Sequence, residues 1–166
     1  MKSFLVFGLA LIFLIPLART VFAAPAGVVW ADNTTRLTFQ GALQSNETYS
    51  TIASTMFVTA KGAGESSQLG PFTVDYHTEV NLLDLSEAES VQFTGSNGNT
   101  LQAKGTGQAI EDRTPGMYNV IEIYTITGGT GRFKDASGTF TLKRLVSRTV
   151  GLAQSTFEGY IVIPSD

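Results

Sequence analysis

Residues 121–142 read IEIYTITGGTGRFKDASGTFTL, and this stretch decides the fold. Four glycines fall within eleven positions, between two segments in which apolar and polar side chains alternate. Glycine adopts positive φ angles and allows close backbone approach at little steric cost. A glycine cluster between two strands therefore predicts a tight, shaped hairpin connection. The predicted turn residues are Gly128, Gly129, Gly131, Phe133 and Gly138.

The first 23 residues are typical of a cleavable signal peptide. Lys2 gives a positive start, residues 4–15 form an apolar run that ends at Pro16, and Val21 and Ala23 occupy the −3 and −1 positions of a cleavage site. A membrane anchor is the alternative, but it needs about twenty apolar residues. We therefore expect export to the periplasm or the extracellular space, with no stable membrane insertion after cleavage.

The composition of the remaining chain excludes several classes of function. Cleavage after Ala23 leaves 143 of the 166 residues, enough for one domain. Loss of Lys2 and Arg19 leaves nine basic residues against fourteen acidic ones, a net charge of −5. This charge repels phosphate backbones, so we expect no nucleic-acid partner.

The sequence has no cysteine, which excludes disulfides, a thiolate nucleophile and zinc–thiolate sites. We expect neither a metal site nor a cofactor. Asn33 and Asn46 begin Asn-x-Thr tripeptides, which matter only in a eukaryotic source and are common by chance.

The rest of the chain is rich in Thr, Val, Phe, Tyr and Gly. Its turn-forming separators are residues 62–64, 96–99 and 114–116. Eight strands with short connections predict an all-β antiparallel sheet, closed as a barrel or folded as a sandwich. We expect an N-terminal arm over residues 24–34 and the β domain over residues 35–166. The predicted strands are 35–43, 49–61, 72–83, 90–95, 100–110, 118–127, 138–149 and 155–163.

Alternation along the strands predicts which side chains point inward. In residues 72–83, Phe72 and Val74 share one face with Tyr76, while His77 lies on the other. The interior candidates, which are also the candidate ligand contacts, are Phe57, Phe72, Val74, Tyr76, Phe93, Tyr124, Phe140 and Leu142.

His77 is the only histidine, and it lies between Asp75 and Glu79 on the polar face of its strand. One interpretation is an acid–base pair at the mouth of a barrel. The other, which we favour, is a solvated row of polar side chains. The sequence contains no Gly-x-Ser-x-Gly elbow and no complete phosphate-binding glycine loop.

Two charged groups have both a functional and a structural interpretation. The basic group near the glycine cluster could bind an anion, or its side chains could be solvated at strand edges, which we favour. Asp84, Glu87 and Glu89 form a predicted acidic turn whose spacing does not match a calcium loop. The basic group consists of Arg132, Lys134, Lys143, Arg144 and Arg148.

The pattern Gly-Gly-x-Gly-x-Phe-x-x-Ala-x-Gly at residues 128–138 resembles the turn of allene oxide cyclase and dirigent-type β-barrels. Residues 69–72, Leu-Gly-Pro-Phe, add weaker support. Together with the export signal, the chain looks most like exported, uncharacterised relatives of these barrels. The resemblance implies a single eight-stranded antiparallel barrel with an apolar cavity, often assembled as a homotrimer. In this group, cyclases close an allene oxide to a cyclopentenone, and dirigent members steer the coupling of phenoxy radicals.

We expect a secreted, cofactor-free barrel that binds a small apolar molecule, with an inner face free of convergent ionisable groups. The alternative is a cofactor-independent cyclase or isomerase, or a dirigent-type stereo-directing protein, acting on a lipophilic substrate. Its polar groups would be Tyr76, Tyr124 or His77, and it requires at least two such groups in one open pocket. A second alternative is a structural module with a filled barrel.

Overall fold

The computed structural model describes residues 34–165, which form one closed antiparallel β-barrel. Each strand pairs with the next along the chain, and β8 pairs with β1. This confirms the predicted fold class. The strands are β1 (Thr34–Ile52), β2 (Thr55–Ser66), β3 (Gly70–Asn81), β4 (Ser86–Gly95), β5 (Thr100–Glu111), β6 (Met117–Gly129), β7 (Ser137–Ser147) and β8 (Leu152–Pro164).

The proposed signal peptide and nearly all of the proposed arm lie outside the described residues. No helix within residues 34–165 is long and apolar enough to cross a membrane.

The barrel has two different ends. The β1–β2, β3–β4, β5–β6 and β7–β8 turns lie together at one end, which we call the mouth, because consecutive antiparallel strands reverse direction. The β2–β3, β4–β5 and β6–β7 turns lie at the opposite end, which we call the closed end.

The glycine-rich turn closes the barrel at the closed end. It contains a short 3₁₀ helix, Gly131–Phe133, and Gly131 has a φ of +57°. A Cβ atom on Gly131 would lie 2.0 Å from the Asn99 side-chain oxygen, so any other residue would have to displace the Asn99 side chain as well as adopt the positive φ. Phe133 is 1% exposed and packs in the core, so the turn inserts an aromatic ring into the end of the barrel.

Aromatic side chains fill the closed half of the interior. Neighbouring phenylalanine rings have centroids 4.7–6.1 Å apart, mostly in edge-on or tilted geometry. This packing leaves no room for a ligand among the rings. The cluster consists of Phe39, Phe72, Phe93, Phe140 and Phe157.

The first hairpin differs from the prediction. β1 continues to Ile52, and the predicted strand 49–61 spans the end of β1, the turn at Ala53 and Ser54, and the start of β2. The polar residues Ser45 and Glu47 looked like a break but are buried inside the barrel. The turn was missed because Ala53 and Ser54 lack the glycine or asparagine typical of two-residue hairpins.

Two placements of side chains were also wrong. Glu87 and Glu89 do not form an acidic turn, since both belong to β4 and are buried inside the barrel. Phe57 is not an interior residue: it alternates with the buried Met56 and Val58 and lies half-buried on the outer face of β2.

Candidate functional site

Four glutamates and one arginine are buried inside the barrel, between the aromatic cluster and the mouth. They come from β1, β4, β6 and β7, and each is at most 7% exposed. Charged side chains are rarely this buried unless they are paired, so the cluster needs a chemical or structural role. We call Glu47, Glu87, Glu89, Glu122 and Arg144 the ionic layer.

Arg144 is the cation of the ionic layer. Its Nη1 donates to Glu47 Oε1 at 2.8 Å, and its Nη2 pairs with Glu122 Oε1. Burial lowers the pKa of Arg144, but the carboxylates of Glu122 and Glu47 outweigh burial and raise it overall. Arg144 therefore stays charged, and it links its own strand, β7, to β1 through Glu47 and to β6 through Glu122.

Glu89 holds a proton within the ionic layer. Burial, followed by the nearby charge of Glu122, raises the pKa of Glu89 far above that of an ordinary carboxyl. Burial also raises the pKa of Glu122, and Arg144 offsets part of this effect. Glu89 is therefore protonated near neutral pH, while the hydroxyl of Tyr124 donates to its Oε2.

Glu87, Glu89 and Glu122 are close enough to bind one cation or to share protons. Each offers a carboxylate oxygen, and these oxygens lie within 4.8 Å of one another. The carboxyls of Glu87 and Glu89 are in hydrogen-bonding contact, which raises the pKa of Glu89 further. The three carboxyls therefore form one electrostatically linked group.

A pocket of about 50 Å³ leads from the mouth down to the ionic layer. Glu47, Thr78, Glu87 and Arg144 line it alongside apolar and aromatic side chains. A cavity of this size holds a few water molecules or one small polar group of a ligand. The remaining lining residues are Tyr49, Met56, Val58, Val80, Leu82, Leu85, Ala109, Tyr118, Val120, Val146 and Arg148, and we call this space the mouth pocket.

The two glutamates that line the mouth pocket differ in their partners. Glu47 accepts hydrogen bonds from Tyr49 Oη at 2.5 Å and from Arg144 Nη1 at 2.8 Å, so both of its oxygens are occupied. Within residues 34–165, Glu87 Oε2 and Thr78 Oγ1 are buried without an N–H or O–H donor. Glu87 is therefore the carboxyl in the pocket with an oxygen open to a hydrogen bond from a ligand.

A wider depression of about 750 Å³ lies on the outer surface, lined by side chains that include Ala42, Ala63 and Leu145. It is an open, shallow surface between strands. The mouth pocket is the better candidate site because it combines enclosure with ionisable groups.

Most of the sequence-predicted interior residues lie inside the barrel, but none lines the mouth pocket. Tyr76 and Tyr124 border the ionic layer; Arg144 lies 5.9 Å from the Tyr76 ring centroid, and Tyr124 stacks on Phe140 at 4.8 Å. The residues placed inside as predicted are Phe72, Val74, Tyr76, Phe93, Tyr124, Phe140 and Leu142, all buried.

His77 is exposed on the outer face of β3, beside a shallow depression that Asp75 and Lys104 also line. It does not reach the barrel interior, so it forms no acid–base pair at the mouth. Arg144 was placed among solvated edge residues, and that placement is wrong because its side chain is 5% exposed.

The sequence analysis missed the ionic layer, although alternation alone could have located it. Glu122 lies two positions before Tyr124, and Arg144 two after Leu142, so both share a face with a core residue. Glu87 and Glu89 likewise continue the face of Val91 in β4. The signal was present, but Glu87 and Glu89 were interpreted as part of an acidic turn and Arg144 as a solvated residue at a strand edge.

The closed eight-stranded antiparallel barrel is a fold that is also found among solved structures. Among solved structures, the pterocarpan synthase dirigent protein GePTS1 is similar, with a TM-score of 0.60 and 14% sequence identity. The match covers 88% of this chain and 99% of that chain. No protein-family model matches the chain, and no curated protein matches it.

This likeness confirms the dirigent-type part of the predicted resemblance at the level of the fold. The link to allene oxide cyclases stays a prediction, as do export and assembly as a homo-oligomer.

Proposed function

We propose that the protein directs a rearrangement of a lipophilic molecule, as a cofactor-free barrel of the cyclase, isomerase or dirigent type. The observation that carries the proposal is the convergence of Glu87, Thr78 and Arg144 in one pocket with apolar walls. A barrel that only binds apolar molecules has no need of buried ionisable groups, which are costly to desolvate. The fold shared with a dirigent protein also supports this proposal over a barrel that only binds apolar molecules.

The size of the mouth pocket limits what enters it. Pockets that enclose a whole small molecule have volumes of roughly 300–1,000 Å³, and this one has about 50 Å³. A single hydroxyl or carbonyl group fits, while the rest of the molecule lies across the apolar mouth. The substrate is therefore a molecule with one reactive polar end and an apolar body.

The carboxyl pair supplies the proposed chemistry. Glu87 takes a proton from one atom of the bound group and then returns a proton to another atom of it, so the carboxyl pair ends in its starting state with the proton of Glu89 still in place. One proton is taken and one is returned, so the rearrangement needs neither oxidant nor reductant. The pocket walls hold the reacting molecule in one conformation, which contributes by positioning.

The test uses 2-tetralone, a lipophilic ketone with exchangeable α-protons, in deuterated buffer. We expect the protein to accelerate α-deuteration, followed by NMR, at least about tenfold over buffer, because a positioned base typically gives about a hundredfold or more. Glu87→Gln should abolish the acceleration. Glu79→Gln, which changes an exposed carboxyl on the outer face of β3, should retain it.

A second measurement distinguishes an acid–base catalyst from a barrel that only binds apolar molecules and from a filled structural module. N-phenyl-1-naphthylamine is a neutral fluorophore that reports binding in apolar sites. Binding of this probe without any α-deuteration would overturn the acid–base proposal in favour of a simple binding barrel. If neither binding nor deuteration occurs, the barrel is a filled structural module.

A further inference from the structure

The mouth carries one strongly exposed aliphatic side chain on or beside each of its four turns. Ile52 is 68% exposed, Leu83 82%, Ile110 61% and Val150 64%. Leu82, Leu85 and Leu152 add further exposed apolar surface at the same end, so seven of the ten exposed large hydrophobic residues of the described chain surround the mouth. We call Ile52, Leu83, Ile110 and Val150 the rim residues.

The spacing of the rim residues limits the shape of their partner. The four mouth turns follow one another around a closed barrel, so the β1–β2 and β5–β6 turns lie on opposite sides of the opening. A small molecule in the mouth pocket cannot touch all four turns together. A flat apolar surface can, and a concentration of exposed apolar side chains marks an interaction site.

The charges at the mouth indicate that the partner is not anionic. Asp84, Glu111 and Asp112 lie on or beside the mouth turns, as do Arg113 and Arg148, so the described residues of this end form no basic cluster. Hydrogen bonds from Ser86 lower the pKa of Asp84, and those from Thr114 and Asn119 lower the pKa of Asp112, which keeps both charged.

Two tyrosines lie just inside the rim. Tyr49 and Tyr118 are half-buried, and the guanidinium of Arg148 lies 5.6 Å and 5.4 Å from their ring centroids. The hydroxyl of Tyr49 donates to Glu47 in the ionic layer, so these two rings form part of the pocket wall between the rim and the buried charges.

We propose that the mouth docks on the surface of a zwitterionic lipid layer, with the rim residues inserted among the lipid chains. The mouth carries acidic and basic side chains together, and a zwitterionic surface, which carries both signs of charge, accepts both. The mouth pocket then opens directly onto the lipid, because Leu82 and Leu85 belong to both the pocket lining and the exposed apolar surface. The docking does not depend on the chemistry proposed for Glu87.

The test measures co-flotation of the protein with phosphatidylcholine vesicles. The rim variant combines Ile52→Ser, Leu83→Ser, Ile110→Ser and Val150→Ser. The matched control combines Ile121→Ser and Ile123→Ser, which change aliphatic side chains of 53% and 61% exposure on the outer face of β6. All proteins keep the same N-terminus, so any contribution from that segment cancels in the comparison.

We expect the rim variant to lose about tenfold or more in vesicle affinity, since each inserted aliphatic side chain removes apolar area from water. The control should change by less than about twofold, and raising the salt from about 0.1 M to 0.5 M should not weaken binding of the unchanged protein. Circular dichroism checks the fold, and Leu83→Ser alone replaces the rim variant if that variant is unfolded.

Three outcomes would overturn the proposal. The first is no binding of the unchanged protein to the vesicles, and the second is an equal loss in the rim and control variants. The third is a dimer in sedimentation that the rim variant abolishes while vesicles remain unbound, which would make the mouth an interface between two copies.

Discussion

Arg144 Nη1 donates to Glu47 Oε1 at 2.8 Å, although the two residues are 97 positions apart in the sequence. Arg144 lies on β7 and Glu47 on β1, with β8 between them in the barrel. The second partner of Arg144, Glu122, lies on β6. One guanidinium therefore links three strands across the interior, in addition to the backbone hydrogen bonds that close the barrel.

We predict that Arg144→Met strongly destabilises the barrel. The change leaves Glu47 and Glu122 buried without a cation, and breaking a buried ion pair costs about 3–5 kcal/mol. Urea denaturation measures the loss in the free energy of unfolding. Lys143→Met is the control because Lys143 is the exposed neighbour, with its Nζ 4.0 Å from Glu158, and such pairs contribute less than about 1 kcal/mol.

The double variant Arg144→Met/Glu47→Gln should recover part of the lost stability, because it removes one of the unpaired charges. Equal stability of Arg144→Met and the unchanged protein would contradict the role given to this ion pair.

We predict that the barrel loses stability as the pH rises above the ordinary range of carboxyl groups. Burial raises the pKa of Glu122 from 4.5 to about 7, and that of Glu89 further in the same direction. At a pH between the unfolded-state and the folded-state pKa of these two carboxyls, the native protein binds more protons than the unfolded chain. The free energy of unfolding therefore falls as the pH rises. The expected fall in Tm between pH 5 and pH 8 is roughly 5–10 °C.

Glu89→Gln tests the origin of this pH dependence. Glutamine keeps the shape of the side chain but does not titrate, so the slope of Tm against pH should become shallower and Tm at pH 8 should rise. Glu79→Gln, on the outer face of β3, should leave the slope unchanged. A slope that is identical in all three proteins would show that the titrating groups lie elsewhere.

We predict that Gly107→Ala disturbs the ionic layer by steric contact. A Cβ atom at this position of β5 would lie 2.7 Å from Glu122 Cγ and 2.9 Å from the Ile121 carbonyl oxygen. Overpacking of this kind costs about 1–3 kcal/mol, and the displaced Glu122 should also change the slope of stability with pH. Thr106→Ala, at the exposed neighbouring position, is the control in the same urea and pH measurements.

Local signals agreed, so the sequence predicted an all-β antiparallel fold and most of its inner face. The choice of a barrel over a sandwich came from the resemblance carried by the glycine-rich turn. Gly128, Gly131 and Gly138 all adopt positive φ, so the glycines themselves indicated the position of the turn. Inward apolar residues such as Phe72 and Phe140 follow simple alternation within one strand. Each of these features can be read within about ten residues of sequence.

Alternation places the residues of the ionic layer on the inward face, but it does not show that they can be buried there, because their partners lie far apart in the sequence. An inward Arg144 or Glu47, considered alone, costs too much desolvation to be accepted as a core residue. Only the closed barrel brings the two within hydrogen-bonding distance. The mouth pocket follows from the same placement, so it was missed together with the ionic layer.

The β1–β2 turn offers the last prediction. Ala53 has a φ of +52°, a conformation that costs an alanine about 1–2 kcal/mol and a glycine almost nothing. Glycine also gives the unfolded chain more conformational freedom, which offsets about 0.4–1 kcal/mol of this gain. Ala53→Gly should therefore stabilise the barrel, by up to about 1 kcal/mol in urea denaturation.

Ala88→Gly gives the matched comparison. Ala88 is exposed within β4 and has no positive φ. Glycine there should only lower the free energy of unfolding, by about 0.5–1 kcal/mol, because glycine loses more conformational entropy on folding. The two substitutions are chemically identical and should change the free energy of unfolding in opposite directions. If both destabilise the barrel equally, Ala53 is not strained, and the missing glycine in this turn has no energetic consequence.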